Sequence, residues 1–268
     1  MAAVKEILAQ VKAGGDAAVL DLTERFDGVR PNLRVEPAAI AAALERIDPE
    51  LRSALETAAA GIADFHRTQV VADHTYERDG IVVRGRKVAV DRAGCYVPGG
   101  RAIYPSTVLM TAIPAKVAGV AEVVLCVPPD STGTVPTVTL AAAAIAGVDE
   151  VYAVGGAQAV GAMAYGTETV RPVDVIVGPG NVYVAIAKRE VAGLVGVPSS
   201  FPGPSEVVVI ADDTAPVDLA AVDVILQAEH GPGGLAWLIS WSETALDAID
   251  AEIAAQVAVA PRKDDITS

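Results

Sequence analysis

Short apolar runs alternate with helical patterns through the middle of the chain, and this alternation restricts the fold more than any other feature. Each apolar run has the length of a buried strand, and each is followed by apolar residues at helical spacing. The predicted pairs are strand 123–127 with helix 137–146, strand 151–154 with helix 158–165, and strand 173–177 with helix 181–191. Strands and helices in strict succession are typical of a parallel sheet covered by helices, so we predict an α/β fold.

A helical arm precedes the alternating region. Apolar residues recur at helical spacing between residues 4 and 66, where two Pro-containing turns and a Gly14-Gly15 break divide the pattern into four helices. Asp16 directly follows the glycine break and is a suitable cap for the second helix. From residue 80 the spacing of the apolar residues changes from that of a helix to that of short strands. The predicted elements there are strands 81–83 and 88–90 and a Gly- and Pro-rich loop at 94–101.

Strand and helix patterns resume after a Pro-rich segment at 198–204. The predicted elements are strand 207–210, helix 216–230, strand 236–240 and a final helix to about residue 257. We predict a Rossmann-like parallel domain at 96–204. It is inserted into a second, discontinuous α/β domain made of residues 1–95, which include the helical arm, and residues 205–268.

Charge narrows the range of partners. The chain carries 34 acidic and 20 basic residues, which gives a formal net charge of −14. The negative electrostatic potential of such a chain repels nucleic acid and anionic membranes, so we expect neither as a partner. The same balance is also consistent with a simple contribution to solubility. A small-molecule ligand is therefore the expected partner.

The cysteines and the apolar segments indicate the compartment. Cys95 and Cys126 lie far apart in strand-like contexts without a CxxC motif, so we predict buried free thiols in a reducing environment. Residues 1–6 lack the apolar core of a signal peptide, and the most apolar stretch, 137–148, is too short to span a membrane. We expect a soluble cytoplasmic protein.

Two glycine turns follow predicted strands. They are Gly155-Gly156-Ala157-Gln158 and Gly178-Pro179-Gly180-Asn181. Ligands of open α/β sheets lie at the carboxyl ends of the strands, where glycine admits a ligand and the next helix offers free N–H groups to a pyrophosphate. Gln158 and Asn181 are well placed to bind polar atoms of a cofactor. Ordinary strand-to-helix turns explain these segments equally well, and the G-x-G-x-x-G fingerprint is absent.

One pair of side chains indicates a metal. Gln227 and His230 are three residues apart at the end of a predicted helix, so they share one face and form half of a candidate zinc site. The alternative is a helix-terminal histidine bonded to a backbone carbonyl.

Two further candidates lie where the chain crosses between the predicted domains, a common place for small-molecule clefts. Ser205 in Gly203-Pro204-Ser205-Glu206 is a possible substrate contact, or it shapes the turn. Tyr96 either covers a cofactor or packs in the core.

Six blocks occur in the order found in histidinol dehydrogenases, which the chain resembles over essentially its whole length. The blocks are Tyr96-Val97-Pro98-Gly99-Gly100, Tyr104-Pro105-Ser106-Thr107-Val108-Leu109-Met110, Val154-Gly155-Gly156-Ala157-Gln158-Ala159, Gly178-Pro179-Gly180-Asn181, Gly203-Pro204-Ser205-Glu206 and Gln227-Ala228-Glu229-His230-Gly231. The resemblance implies a zinc-dependent enzyme of histidine biosynthesis. Such an enzyme oxidises L-histidinol to L-histidine through the aldehyde with two NAD molecules.

The resemblance also implies residue roles and a homodimer for the complete protein. The family fold has a Rossmann-like domain inserted into a larger one without the usual glycine fingerprint. The implied roles are NAD contact for Tyr96, Gln158 and Asn181, substrate contact for Ser205, Gln227 and His230, and zinc ligation for Gln227 and His230.

The chain departs from the family pattern most clearly in its catalytic residues. The family's catalytic Glu-His pair and its Asp and His zinc ligands lie further along than Ser268, so no catalytic base is assigned here. We expect an amino-terminal two-thirds of such an enzyme, inactive alone, with the NAD half and half of the metal site. Two alternatives remain: a related dehydrogenase of another small amino or sulfonated alcohol, and a non-catalytic binding or assembly subunit.

Overall fold

The computed structural model describes residues 1–99, 102–198, 206–229 and 235–267. The chain divides into two compact units between residues 200 and 201. The first unit contains a parallel sheet with helices on both faces, and the second contains a smaller parallel sheet with helices. The predicted mixed α/β class is therefore confirmed, whereas the inserted-domain arrangement stays a prediction.

The helices and strands have the following bounds. The helices are α1 (Ala2–Asp27), α2 (Pro37–Ala43), α3 (Pro49–Arg67), α4 (Pro105–Val117), α5 (Thr137–Ile145), α6 (Gly156–Tyr165), α7 (Val182–Val191), α8 (Val217–Ala228), α9 (Glu243–Val259) and α10 (Lys263–Ile266). The strands are β1 (His74–Arg78), β2 (Ile81–Gly85), β3 (Arg92–Tyr96), β4 (Glu122–Val127), β5 (Glu150–Ala153), β6 (Val175–Val177), β7 (Glu206–Ile210) and β8 (Leu235–Ile239). No helix among these described elements is long and apolar enough to cross a membrane.

The central sheet has the strand order β5-β4-β3-β6, and all its pairs are parallel. Both of its edges are covered by extended backbone. Residues 33–35 pair with β5, where Val35 N donates to the Val151 carbonyl at 2.9 Å. Gly196 pairs beside β6 and accepts a hydrogen bond from Ile176 N at 2.8 Å. Covered edges leave few backbone groups open to pairing with another chain.

Each face of the sheet has its own core. Side chains alternate between the faces of a strand, so Tyr96 packs in a core with α1, α6 and α7, and its neighbour Cys95 packs in a core with α2 to α5. Cys95 and Cys126 are both buried free thiols, as predicted. Burial raises the pKa of Cys95 to about 11 and that of Cys126 to about 12.

Ion pairs join the amino ends of three strands. Arg92 is buried, and its guanidinium contacts the carboxylates of Glu122 and Glu150. Glu150 also accepts from Arg34 Nη2 at 2.8 Å and from the Tyr152 hydroxyl at 2.7 Å. Burial alone raises the pKa of Glu150, but these hydrogen bonds outweigh it and hold that pKa below its usual value. The network fixes the starts of β3, β4 and β5 relative to one another.

Two predictions for the first hundred residues need correction. The segment predicted as a loop from residue 94 contains the end of β3, which is buried throughout. Gly94 looked like a loop residue, but its role is packing, because a Cβ there would lie 2.6 Å from Met163 Sδ. The predicted strand 88–90 is irregular, and β2 pairs instead with β1 as an antiparallel hairpin.

The glycine break in the helical arm is present as a kink. Gly15 has φ 55° and ψ −140° inside α1. Asp16 N donates to Glu168 at 2.7 Å, and the Asp16 carboxylate accepts from Thr169, so this side chain joins α1 to the segment after α6 instead of capping a helix.

The second unit is built on a pair of parallel strands. β7 and β8 pair in register from Glu206 with Leu235 to Ile210 with Ile239. Helices α8 and α9 pack beside them around a small core that contains Ala221 and Ile249. The strands and helices predicted after residue 205 are therefore confirmed within the described residues.

Candidate cofactor site at the carboxyl ends of β3 and β6

The order of the strands creates a crevice in the first unit. The chain passes from β3 to β4 to β5 in one direction and then returns to place β6 on the other side of β3. The helix after β3, α4, packs on one face of the sheet, and the helix after β6, α7, packs on the opposite face. The loops after these neighbouring strands therefore diverge, which is the position where open α/β sheets bind ligands.

Tyr96, the last residue of β3, contacts both glycine turns. Its hydroxyl accepts a hydrogen bond from Gly156 N at 3.0 Å. A Cβ at Gly178 would lie 2.0 Å from the Tyr96 carbonyl oxygen, and a Cβ at Gly180 would lie 3.2 Å from the Tyr96 ring. Tyr96 is only 3% exposed, and burial raises its pKa to about 12 despite the bond from Gly156. A neutral, buried tyrosine therefore joins the two turns.

Gln158 lies at the start of α6 beside the first turn. Its side chain is 1% exposed, and a Cβ at Gly156 would lie 2.5 Å from Gln158 Oε1. Gly156 has φ 65°, so both its backbone conformation and the adjacent amide require glycine. A side-chain amide at this place offers both a donor and an acceptor to a ligand bound at the turn.

Asn181 caps the helix that follows the second turn. Its Oδ1 accepts from Tyr183 N at 3.0 Å and from Val184 N at 3.1 Å, which satisfies two of the free N–H groups at the start of α7. The residue is exposed, and with the oxygen engaged in the cap, the amide nitrogen is the group that can donate to a ligand. Asn181 therefore combines a structural role with a possible binding role.

Two charged residues near these turns, Lys188 and Asp27, were not predicted from the sequence. Lys188 of α7 is 5% exposed and donates from Nζ to the Gly178 carbonyl at 2.9 Å. Desolvation lowers its pKa. Desolvation also raises the pKa of Asp27, at the end of α1, and the charge of this carboxylate contributes to the raised pKa of Tyr96. The available signal for Lys188 was a lysine four residues after Val184, on the buried face of α7.

The family model for histidinol dehydrogenase matches residues 1–268. The chain belongs to the histidinol dehydrogenase family. The histidinol dehydrogenase of Chlorobium chlorochromatii is 47% identical over 268 residues, which are 99% of this chain and 62% of that protein. The histidinol dehydrogenase of Methanothermobacter thermautotrophicus is 49% identical over 240 residues, which are 88% of this chain and 56% of that protein.

A solved structure agrees with this membership. The crystal structure of histidinol dehydrogenase from Elizabethkingia anophelis matches with a TM-score of 0.92 and 36% sequence identity, over 98% of this chain and 61% of that one. The chain thus spans about three fifths of the length of the relatives that it matches. The family is one of dehydrogenases in histidine biosynthesis.

The residues predicted for the metal and substrate are only partly within the described chain. Gln227 lies in the last turn of α8 and is 4% exposed. His230 and Ser205 lie outside the described residues. The zinc ligands and the substrate contacts of this histidinol dehydrogenase family member therefore stay predictions.

Proposed function

We propose that this chain forms the NAD-binding part of a zinc-dependent histidinol dehydrogenase that oxidises L-histidinol to L-histidine through the aldehyde. One observation carries the proposal. Both glycine turns contact Tyr96 at the end of β3, beside the point where the strand order reverses, and Gln158 and Asn181 follow those turns, in a chain of this family.

The residues around the crevice suit a dinucleotide. Glycines at 156, 178 and 180 keep the backbone free of side chains that would meet Gln158, Tyr96 or Val184. The N-termini of α6 and α7 supply N–H groups and a positive dipole end for a pyrophosphate. NAD held by these residues would supply the hydride acceptor for oxidation of an alcohol. The residues of this unit bind and orient that cofactor, and none of them is assigned a proton-transfer step.

The zinc half of the proposal rests on the family resemblance. Gln227 offers an amide oxygen and His230 an imidazole, and zinc accepts both donor types, although it prefers nitrogen and sulfur. Their proposed role is to hold the metal and the substrate. The discontinuous outer domain of residues 1–95 and 205–268 and a homodimer of the complete protein belong to the same proposal.

Equilibrium binding of NAD to the purified chain tests the cofactor part. We expect Gln158→Ala to weaken NAD binding about tenfold, because the amide loses its bonds to the ligand. Asn181→Asp keeps the oxygen that caps α7 but replaces the donor by a negative charge, so it should retain stability and weaken binding by at least as much. Gln10→Ala, an exposed glutamine on α1, is the matched control.

A folded chain that fails to bind NAD at millimolar concentration would overturn the cofactor assignment. The substrate part is tested in the full-length protein by NADH formation from L-histidinol, with zinc and with a chelator. Turnover of a different small amino alcohol in preference to L-histidinol would retain the dehydrogenase assignment and reject this substrate.

A further inference from the structure

A buried lysine supports the second glycine turn from the inside of the unit. Lys188 lies on α7 between the buried residues Val184 and Val191, and only 5% of its surface is exposed. Its Nζ donates to the carbonyl of Gly178, the first residue of the turn, at 2.9 Å. The contact therefore connects the second turn of α7 to the carboxyl end of β6.

If this position served only to fill space in the core, a lysine would be an unfavourable residue. Removing an ammonium group from water is unfavourable, and desolvation accordingly lowers the pKa of Lys188. A methionine would fill similar space without that penalty. The hydrogen bond to the Gly178 carbonyl is one compensation, because bonds to charged groups are stronger than neutral ones.

The turn itself has little freedom in its backbone. Gly178 has φ 103°, and a Cβ there would lie 2.0 Å from the Tyr96 carbonyl oxygen. At the other end of the turn, Asn181 is tied to α7 by its capping bonds. Lys188 holds the peptide between these two constraints, so the direction of the Gly178 carbonyl, and with it the path of residues 178–181, depends on this bond.

We propose that Lys188 is a positioning residue that fixes the turn 178–181 in the conformation that receives the cofactor. This inference rests on the proposed NAD site. Lys188 acts through the turn and not through contact with the reacting atoms. Its loss should therefore weaken NAD binding and raise the KM for NAD, while kcat of the full-length enzyme changes little.

The test compares Lys188→Met and Lys188→Arg with a matched control. Lys116→Met is suitable, because Lys116 Nζ also donates to a backbone carbonyl, that of Ala121 at 3.3 Å, but at the amino end of β4. The measurements are equilibrium NAD binding, the melting temperature and amide hydrogen exchange of residues 178–184. We expect Lys188→Met to bind NAD about tenfold more weakly, with faster exchange in the turn. Lys188→Arg, which keeps a charged donor, should recover part of the affinity, and Lys116→Met should bind normally.

The outcomes distinguish the proposed NAD site from the proposed role of Lys188. Absence of NAD binding by the wild-type chain rejects the cofactor site itself. If the wild-type chain binds NAD and Lys188→Met binds it with an affinity within about twofold of wild type, the role of Lys188 is rejected. Should Lys188→Met fail to fold, Lys188→Gln takes its place, because its shorter neutral side chain cannot reach the Gly178 carbonyl in the same way. Unchanged affinity and unchanged exchange in that variant reject the role equally.

Discussion

The hydroxyl of Tyr96 makes one hydrogen bond that joins the end of β3 to the start of α6, and Tyr96→Phe removes it with little change in shape. The bond to Gly156 N is 3.0 Å long, and Tyr96 is 3% exposed, so water cannot easily replace the lost acceptor. An unsatisfied, partly buried N–H group costs about 1–2 kcal/mol. For a unit of this size we expect the melting temperature to fall by roughly 2–4 °C for each kcal/mol.

The two buried thiols give this experiment a local probe. Cys95 and Cys126 are fully buried on β3 and β4, so their labelling by a thiol reagent at increasing urea concentration reports unfolding of the first unit. Trp237 and Trp241 lie in the second unit, so tryptophan fluorescence follows that unit separately.

The control for this experiment is Tyr76→Phe, at a tyrosine that is 55% exposed on the hairpin. It should change the free energy of unfolding by less than about 0.5 kcal/mol. A Tyr96→Phe chain whose first unit also stays within about 0.5 kcal/mol of wild type would refute the argument that this bond joins the first turn to the sheet.

Three further predictions concern the first unit. The raised pKa values of Cys95 and Cys126 mean that the folded state retains protons that the unfolded state releases, so the contribution of these thiols to stability should be fully present below about pH 8.5 and be lost towards pH 11 to 12. Urea titrations across this range test it, and a flat profile contradicts it. Gly178→Ala places a Cβ against a carbonyl oxygen of β3 and should abolish NAD binding, whereas Gly28→Ala, with φ 75° and no atom within 4 Å, should cost only about 1 kcal/mol and bind normally. Arg92→Met removes the buried partner of the Glu150 carboxylate, whose side chain is 12% exposed, and should lower the free energy of unfolding by about 3 kcal/mol in the same thiol assay. A loss below about 1 kcal/mol would show that this network is not a stabilising one.

The cofactor crevice itself depends on residues that are distant in the chain. The first glycine turn contacts Tyr96 across 60 positions, and Gly178 contacts the same residue from the other side. Each turn is visible in the sequence, but an ordinary strand-to-helix connection explains each one equally well. Only their common contact with Tyr96 favours a single site.

Local patterns in the sequence were sufficient for the elements of the alternating region. Strands β4, β5 and β6 follow from short continuous apolar runs, and helices α5, α6 and α7 follow from apolar residues at the 3.6-residue spacing of a helix. The kink at Gly15 and the buried thiols were predicted for similar local reasons. The family membership also followed from the sequence, through six ordered blocks.

The tertiary structure decided the points that depend on distant neighbours. The Gly- and Pro-rich composition of 94–101 predicts a loop where β3 ends, and only the Met163 side chain beside Gly94 explains that glycine. The role of Lys188 is visible only in the structure, where its Nζ donates to the Gly178 carbonyl. The position of β6 next to β3 also depends on distant residues. Cys95 pairs with Val177, about 80 residues further along the chain, and this pairing opens the crevice. Periodicity records which face of an element is buried, but not which other element covers it, and for that reason the sequence determined the elements while the packing determined the site.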